Sequence, residues 1–213
     1  MITVLRYGVI FSFFFSLTIL IFLLIQTRFF GKKRLLSTPR GSWKKGIIYA
    51  FGKGMMPWEK ESAQKHLWTY MAGFGYHFGI FAAFAYLIHL VLFGSYDGFL
   101  LNAFRLFIVC GFVCGLALFM KRISIGTMRK LSCPDDYVAN SFVDLFILFA
   151  LIDTLLPEIR SILYVQSIIL LIYIPVGKIR HCFFFFYSRI LFGYFFGRRG
   201  VFPQKQKTVE TWR

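Results

Sequence analysis

The sequence predicts an all-α integral membrane protein, a five-helix bundle, and three observations carry that expectation. Hydrophobic residues make up 58% of the 213 residues and aromatics 21%, and the mean hydropathy is +0.66, well outside the make-up of a soluble domain. Apolar runs of about 20 residues, enough for a helix to cross a bilayer, recur along the chain. The charges fall between those runs, 25 Lys and Arg against 9 Asp and Glu for a net +16. No nucleic-acid-binding motif accompanies them, so nucleic acid is not the expected partner. The basic residues instead set topology and face anionic lipid headgroups or a protein partner.

The first run, Tyr7 to Gln26, exceeds the ~7–15 residues of a signal-peptide core and lacks a small-x-small cleavage site after it, so it reads as a retained span. A basic connection follows, Thr27 to Lys65, with Arg28, Lys32, Lys33, Arg34, Arg40, Lys44, Lys45, Lys53, Lys60 and Lys65. Its "WKKGIIYAFGKGMMPWEKESAQKH" mixes basic and aromatic residues, as in an amphipathic segment at the interface or a docking surface for a soluble partner. Further spans are expected at Leu67 to Phe93, Phe99 to Met120, Val138 to Leu156 and Ser161 to His181. The last span continues as "HCFFFFYSRILFGYFFGRRG" into the tail, 182–213, which reads as a helix leaving along the membrane surface. The whole chain, 1–213, is expected to be a single membrane domain.

Basic residues also mark the third connection (Lys121, Arg122, Arg129, Lys130) and the tail (Lys205, Lys207), whereas "GSYDG" and "PEIRS" are nearly uncharged. By the positive-inside rule the N-terminus is outside and the C-terminus cytoplasmic. Gly111 and Gly115, interleaved with Cys110 and Cys114, give the third span a small-residue face suited to close helix packing. Cys110, Cys114, Cys133 and Cys182 form no CxxC pattern, so a zinc or iron-sulphur site is not expected on this chain.

Polar groups are costly inside a bilayer, and all four histidines fall in or beside spans: His66, His77, His89 and His181. A lone membrane histidine can equally be a hydrogen-bonded packing residue. Here His77 and His181 fall at similar depth on helices running in opposite directions, the arrangement of an axial pair for haem b, which needs no covalent attachment. Gly73, Gly75 and Gly79 leave little bulk beside His77. Phe78, Phe81, Tyr173 and Phe183 to Phe186 could wall a macrocycle, and Lys178, Arg180 and Arg189 could meet its propionates. His66, about three helical turns before His77 on nearly the same face, is an alternative ligand or an interfacial helix cap.

"YHFGIF", a second histidine in the same span, and "PVGKIRH" near the end of the fifth together resemble the cytochrome b membrane subunits of the respiratory nitrate reductase gamma-subunit type, a group similar to heterodisulfide reductase membrane subunits. The resemblance implies a prokaryotic cytoplasmic (inner) membrane protein that carries electrons between quinol or quinone and a cytoplasmic iron-sulphur oxidoreductase subunit. It implies His77 and His181 as ligands of a proximal haem and His89 as the counterpart of a distal ligand. The second distal ligand should fall near Leu163 to Gln166, where no histidine stands. One haem b is expected, with a second requiring an unusual partner for His89. A haem-free membrane anchor or assembly subunit is the alternative.

Arg105, His89 and Asp153 cluster toward the outer ends of their spans, and Asp144 lies deeper. His89 with Asp153 could exchange protons at an outer quinol site; Arg105 could instead hold Asp153 in an ion pair. Asp144 also keeps a small transporter in view, although neither inverted repeats nor broken helices are evident in the sequence.

Overall fold

A computed structural model describes residues 1–30, 38–95 and 98–202. Lys32, Lys33, Arg34, Lys205, Lys207 and the centre of the "GSYDG" connection, Tyr96 and Asp97, lie outside the described residues. The described chain is helical without strands: α1 (Ile2–Gln26), α2 (Trp43–Phe51), α3 (Glu61–Lys65), α4 (Leu67–Phe93), α5 (Phe99–Ser124), α6 (Gly126–Leu131), α7 (Pro134–Leu155), α8 (Arg160–Tyr173) and α9 (His181–Arg198), with short 3₁₀ turns between some of them.

Four helices, α1, α4, α5 and α7, are long and apolar enough to cross a membrane, and a fifth span exists if the helices flanking a break after α8 count as one bent segment. The termini of these helices carry local signals. Pro134 occupies the first turn of α7, where its missing N–H costs nothing. The Asp136 carboxylate accepts from the backbone N–H of Cys133 at 2.9 Å, closing a capping box. Lys121 and Arg122 stand in the last turn of α5, where cations complement the helix dipole.

The fifth span departs from expectation. Helix α8 ends at Tyr173 after 14 residues, about 21 Å of helix against a hydrocarbon core of about 30 Å. The stretch "IPVG" follows, in which Pro175 lacks an N–H and crowds the preceding turn. His181 therefore opens α9 instead of closing the fifth span.

The described residues group into two compact units, one from Met1–Leu23 and Leu67–Arg180, the other from Leu24–His66 and His181–Arg213. The first is a helix bundle in which α7 packs against α4, α5 and α8. Its core includes Tyr86, Leu90, Ile108, Phe146, Ile147 and Leu163, each at most 3% exposed, and Phe84 lies on Phe146 with ring centroids 4.7 Å apart. Its outward face is as apolar as its core: Phe11, Phe78 and Phe81 are more than half exposed, the distribution that hydrocarbon solvent permits and water penalises.

In the second unit, α2 lies against α9. The contact is close because Gly46 meets the backbone of Gly193 and Gly197, leaving no room for a Cβ. Aromatic contacts surround it, Trp43 with Tyr194, Tyr49 with Phe202 and Phe51 with Phe186. Within the first basic connection, Trp43–Phe51 thus forms a helix, α2, seated on the aromatic α9.

Candidate functional site

His77 stands on the exposed side of α4. Its Nδ1 lies 2.7 Å from the carbonyl oxygen of Gly73 one turn earlier. A carbonyl only accepts, so Nδ1 carries the proton, which leaves Nε2 as the nitrogen through which the ring could bind a ligand. Metal-binding histidines commonly use this hydrogen bond to set tautomer and ring orientation. Gly73 shares the face of His77, and a Cβ there would meet nothing within 4 Å. The Phe81 ring is 6.5 Å from the imidazole. An exposed imidazole with one nitrogen held, beside Phe81 and an open Gly73, is chemically suited to bind a ligand through its other nitrogen.

Gly75 and Gly79 serve a different purpose from the one expected. Two positions along a helix turn the side chain by ~200°, so both face away from His77, into α5. A Cβ on Gly75 would sit 2.8 Å from Cys114 Sγ, and one on Gly79 would collide with Gly111. They are packing residues: Gly111 is the counterpart of Gly79 and Cys114 of Gly75, whereas a Cβ on Gly115 would meet Tyr76 and Asp144. Tyr173 is likewise committed elsewhere: its hydroxyl donates to the Asp135 carboxylate and its ring lies 5.0 Å from Phe142. Lys178 bonds Asp136 at 2.8 Å, so its charge is already engaged by a carboxylate.

His181 is exposed at the start of α9 in the second unit, and Arg180, exposed, closes the first. Arg189 lies over the rings of Phe185 and Phe192 at 5.6 and 5.9 Å. His66 is an exposed C-cap between α3 and α4, with φ −133° and ψ 46°. It interrupts the helix, so the face shared with His77, which presumed an unbroken helix, does not extend to it. Among the described residues no three His, Cys, Asp or Glu side chains converge on a metal position.

The outer cluster is rearranged as well. Asp153, 1% exposed, accepts from the Tyr86 hydroxyl at 2.7 Å and pairs with Arg160 at 3.4 Å. Arg105 does not pair with it: that guanidinium bonds Asn102 and both the hydroxyl and carbonyl of Thr154. Position 105 precedes the middle of α5, and its long side chain reaches the end of α7 one residue beyond Asp153. His89 is partly buried, its ring 5.2 Å from Phe93. Deeper in the bundle, Asn140 donates to Asp144 at 2.7 Å, and Tyr76 also bonds that carboxylate. Gln166 donates to the Phe142 carbonyl at 3.0 Å, so the position where a distal ligand was sought performs helix-to-helix bonding.

Tyr86, Arg160, Tyr76 and Asn140 were not singled out from sequence. Arg160 was hidden within a nearly uncharged connection, and tyrosines within aromatic runs carry no distinguishing pattern. Comparison with protein-family models, curated proteins and solved structures finds no match for this chain.

Proposed function

We propose that this chain is a haem b-containing membrane subunit of a respiratory redox complex, passing electrons between membrane quinol or quinone and a cytoplasmic iron-sulphur partner. The observation that carries the reading is His77, exposed on α4, whose Nδ1–H is held by Gly73 on a face that Gly73 leaves open. His181 is the second axial ligand in this reading. Bound haem would supply the one-electron iron couple. The chain's own part is to hold the imidazole in one tautomer, exclude water with Phe78 and Phe81, and offer Arg180 and Arg189 to the propionates. Gly75 and Gly79 contribute by fixing the helix that carries His77. His89 is the proton-exchanging group for quinol, and Asp153, held by Tyr86 and Arg160, stiffens the same end of the bundle.

In this reading the basic connections lie in the cytoplasm of a prokaryotic cell, with the N-terminus outside, the C-terminus inside, and five crossings if the broken segment is one span. The haem-free anchor remains the second reading, favoured by the α2–α9 unit, whose basic and aromatic surface suits a protein partner.

The deciding assay is a pyridine haemochrome measurement on the purified chain with its reduced spectrum. About one haem b per chain is expected, with the low-spin signal abolished in His77→Ala and in His181→Ala. A full signal in both variants refutes the ligand assignment. A folded, partner-binding protein without haem establishes the anchor.

A further inference from the structure

A cavity of about 300 Å³ lies in the first unit, at the basic end of α4, α5, α6 and α7. Thr69, Tyr76, Lys121, Arg122, Ser132 and Asn140 line it; Tyr76 and Asn140 bond Asp144 and the Ser132 hydroxyl donates to the Met128 carbonyl, so the donors facing a ligand there are those of Lys121 and Arg122. Lys121 donates to the Thr69 hydroxyl and, among the described residues, has no carboxylate within ion-pair distance. Arg122 bonds Ser132 at 3.0 Å and approaches Asp136 at 3.5 Å. That carboxylate is shared with Lys178, and the neighbouring Asp135 is engaged by the Tyr173 hydroxyl and the Lys178 backbone N–H, which leaves Lys121 for an outside anion. Asp144 does not line the cavity.

The remaining walls, Leu118, Met128 and Leu131, are apolar, and Leu131 is 78% exposed. Two adjacent cations, Lys121 and Arg122, suit a phosphate group, which accepts several charge-assisted hydrogen bonds. The apolar rim and the position at the charged ends of spanning helices favour a phosphate that carries acyl chains.

We infer that this cavity binds the phosphate of an anionic phospholipid headgroup, clamped by Lys121 and Arg122. The site is independent of the haem reading.

The test is calorimetric titration of the full chain in zwitterionic detergent with dihexanoyl phosphatidylglycerol, dihexanoyl phosphatidylcholine and inorganic phosphate. Saturable binding of the phosphatidylglycerol is expected, with the phosphatidylcholine weaker. Lys121→Gln should weaken it about tenfold, as loss of one charge-assisted contact does. Lys121→Arg should retain binding within about twofold, as should Arg129→Gln, whose arginine lies on exposed α6 outside the cavity lining. Inorganic phosphate saturating the site at the same concentration overturns the lipid assignment in favour of a free anion. Equal weakening by Lys121→Gln and Arg129→Gln overturns the site in favour of diffuse surface charge. Equal loss in Lys121→Arg and Lys121→Gln overturns the charge clamp.

Discussion

Gly73→Ala and Gly79→Ala are the same chemical change six positions apart on α4, yet the two should have opposite consequences. At Gly79 the new methyl group meets α5: Gly111 N and Phe107 O each lie 3.0 Å from where it would stand, and Gly111 Cα is nearer still. Carbon atoms rest at about 3.5–4.0 Å, so the helices must separate by roughly an ångström, and the obstructing atoms are backbone that cannot rotate away. Overpacking of this kind costs about 1–3 kcal/mol. At Gly73 nothing stands within 4 Å, and alanine gains roughly 0.5–1 kcal/mol over glycine in a helix interior. The expected gap is about 2–4 kcal/mol, on the order of 5–15 °C in melting midpoint for a chain of this size. The assay is thermal unfolding of both variants in one detergent, followed by helical circular dichroism. Equal midpoints would refute the Gly79–Gly111 contact as the seam between α4 and α5. Gly111→Ala should behave like Gly79→Ala, and the double variant should lose less than the sum, because one separation accommodates both methyl groups.

The buried Asp153–Arg160 pair should show a coupling of about 1–3 kcal/mol in a double-mutant cycle of Asp153→Asn and Arg160→Gln, each single change leaving a partly buried polar group without its partner; additive effects would remove the pair from the structure's support. Burial and the neighbouring charge of Arg189 hold the Lys60 amine below its ordinary pKa. A lower pKa leaves more neutral amine at pH 8, so Arg189→Gln should raise that pKa and slow acylation of Lys60, followed by mass spectrometry of the labelled peptide; an unchanged or faster rate contradicts the coupling.

The spans at α1, α4, α5 and α7 were legible because a transmembrane helix is a local object. Each needs only an apolar run of sufficient length, since its backbone bonds are satisfied within the segment. The break after α8, at Pro175 and Gly177, was not legible, because apolar residues on both sides let hydropathy run through it and mask the interruption. Histidines stood out because they are rare in such surroundings. Their surroundings did not, because helical rotation decides them: Gly75 and Gly79 flank His77 in sequence and face the opposite way.

Sequence alone determined that this chain is helical, apolar on its outer faces, and basic at particular connections, since composition and run length govern how helices partition into a bilayer. Tertiary structure decided which polar groups meet. Asp153 found Arg160 and Tyr86 instead of Arg105, Asp144 found Asn140 and Tyr76, and Lys121 came to stand beside a cavity. Those pairings depend on the rotation and crossing of helices packed through small residues, a property of the assembled bundle that no single segment encodes.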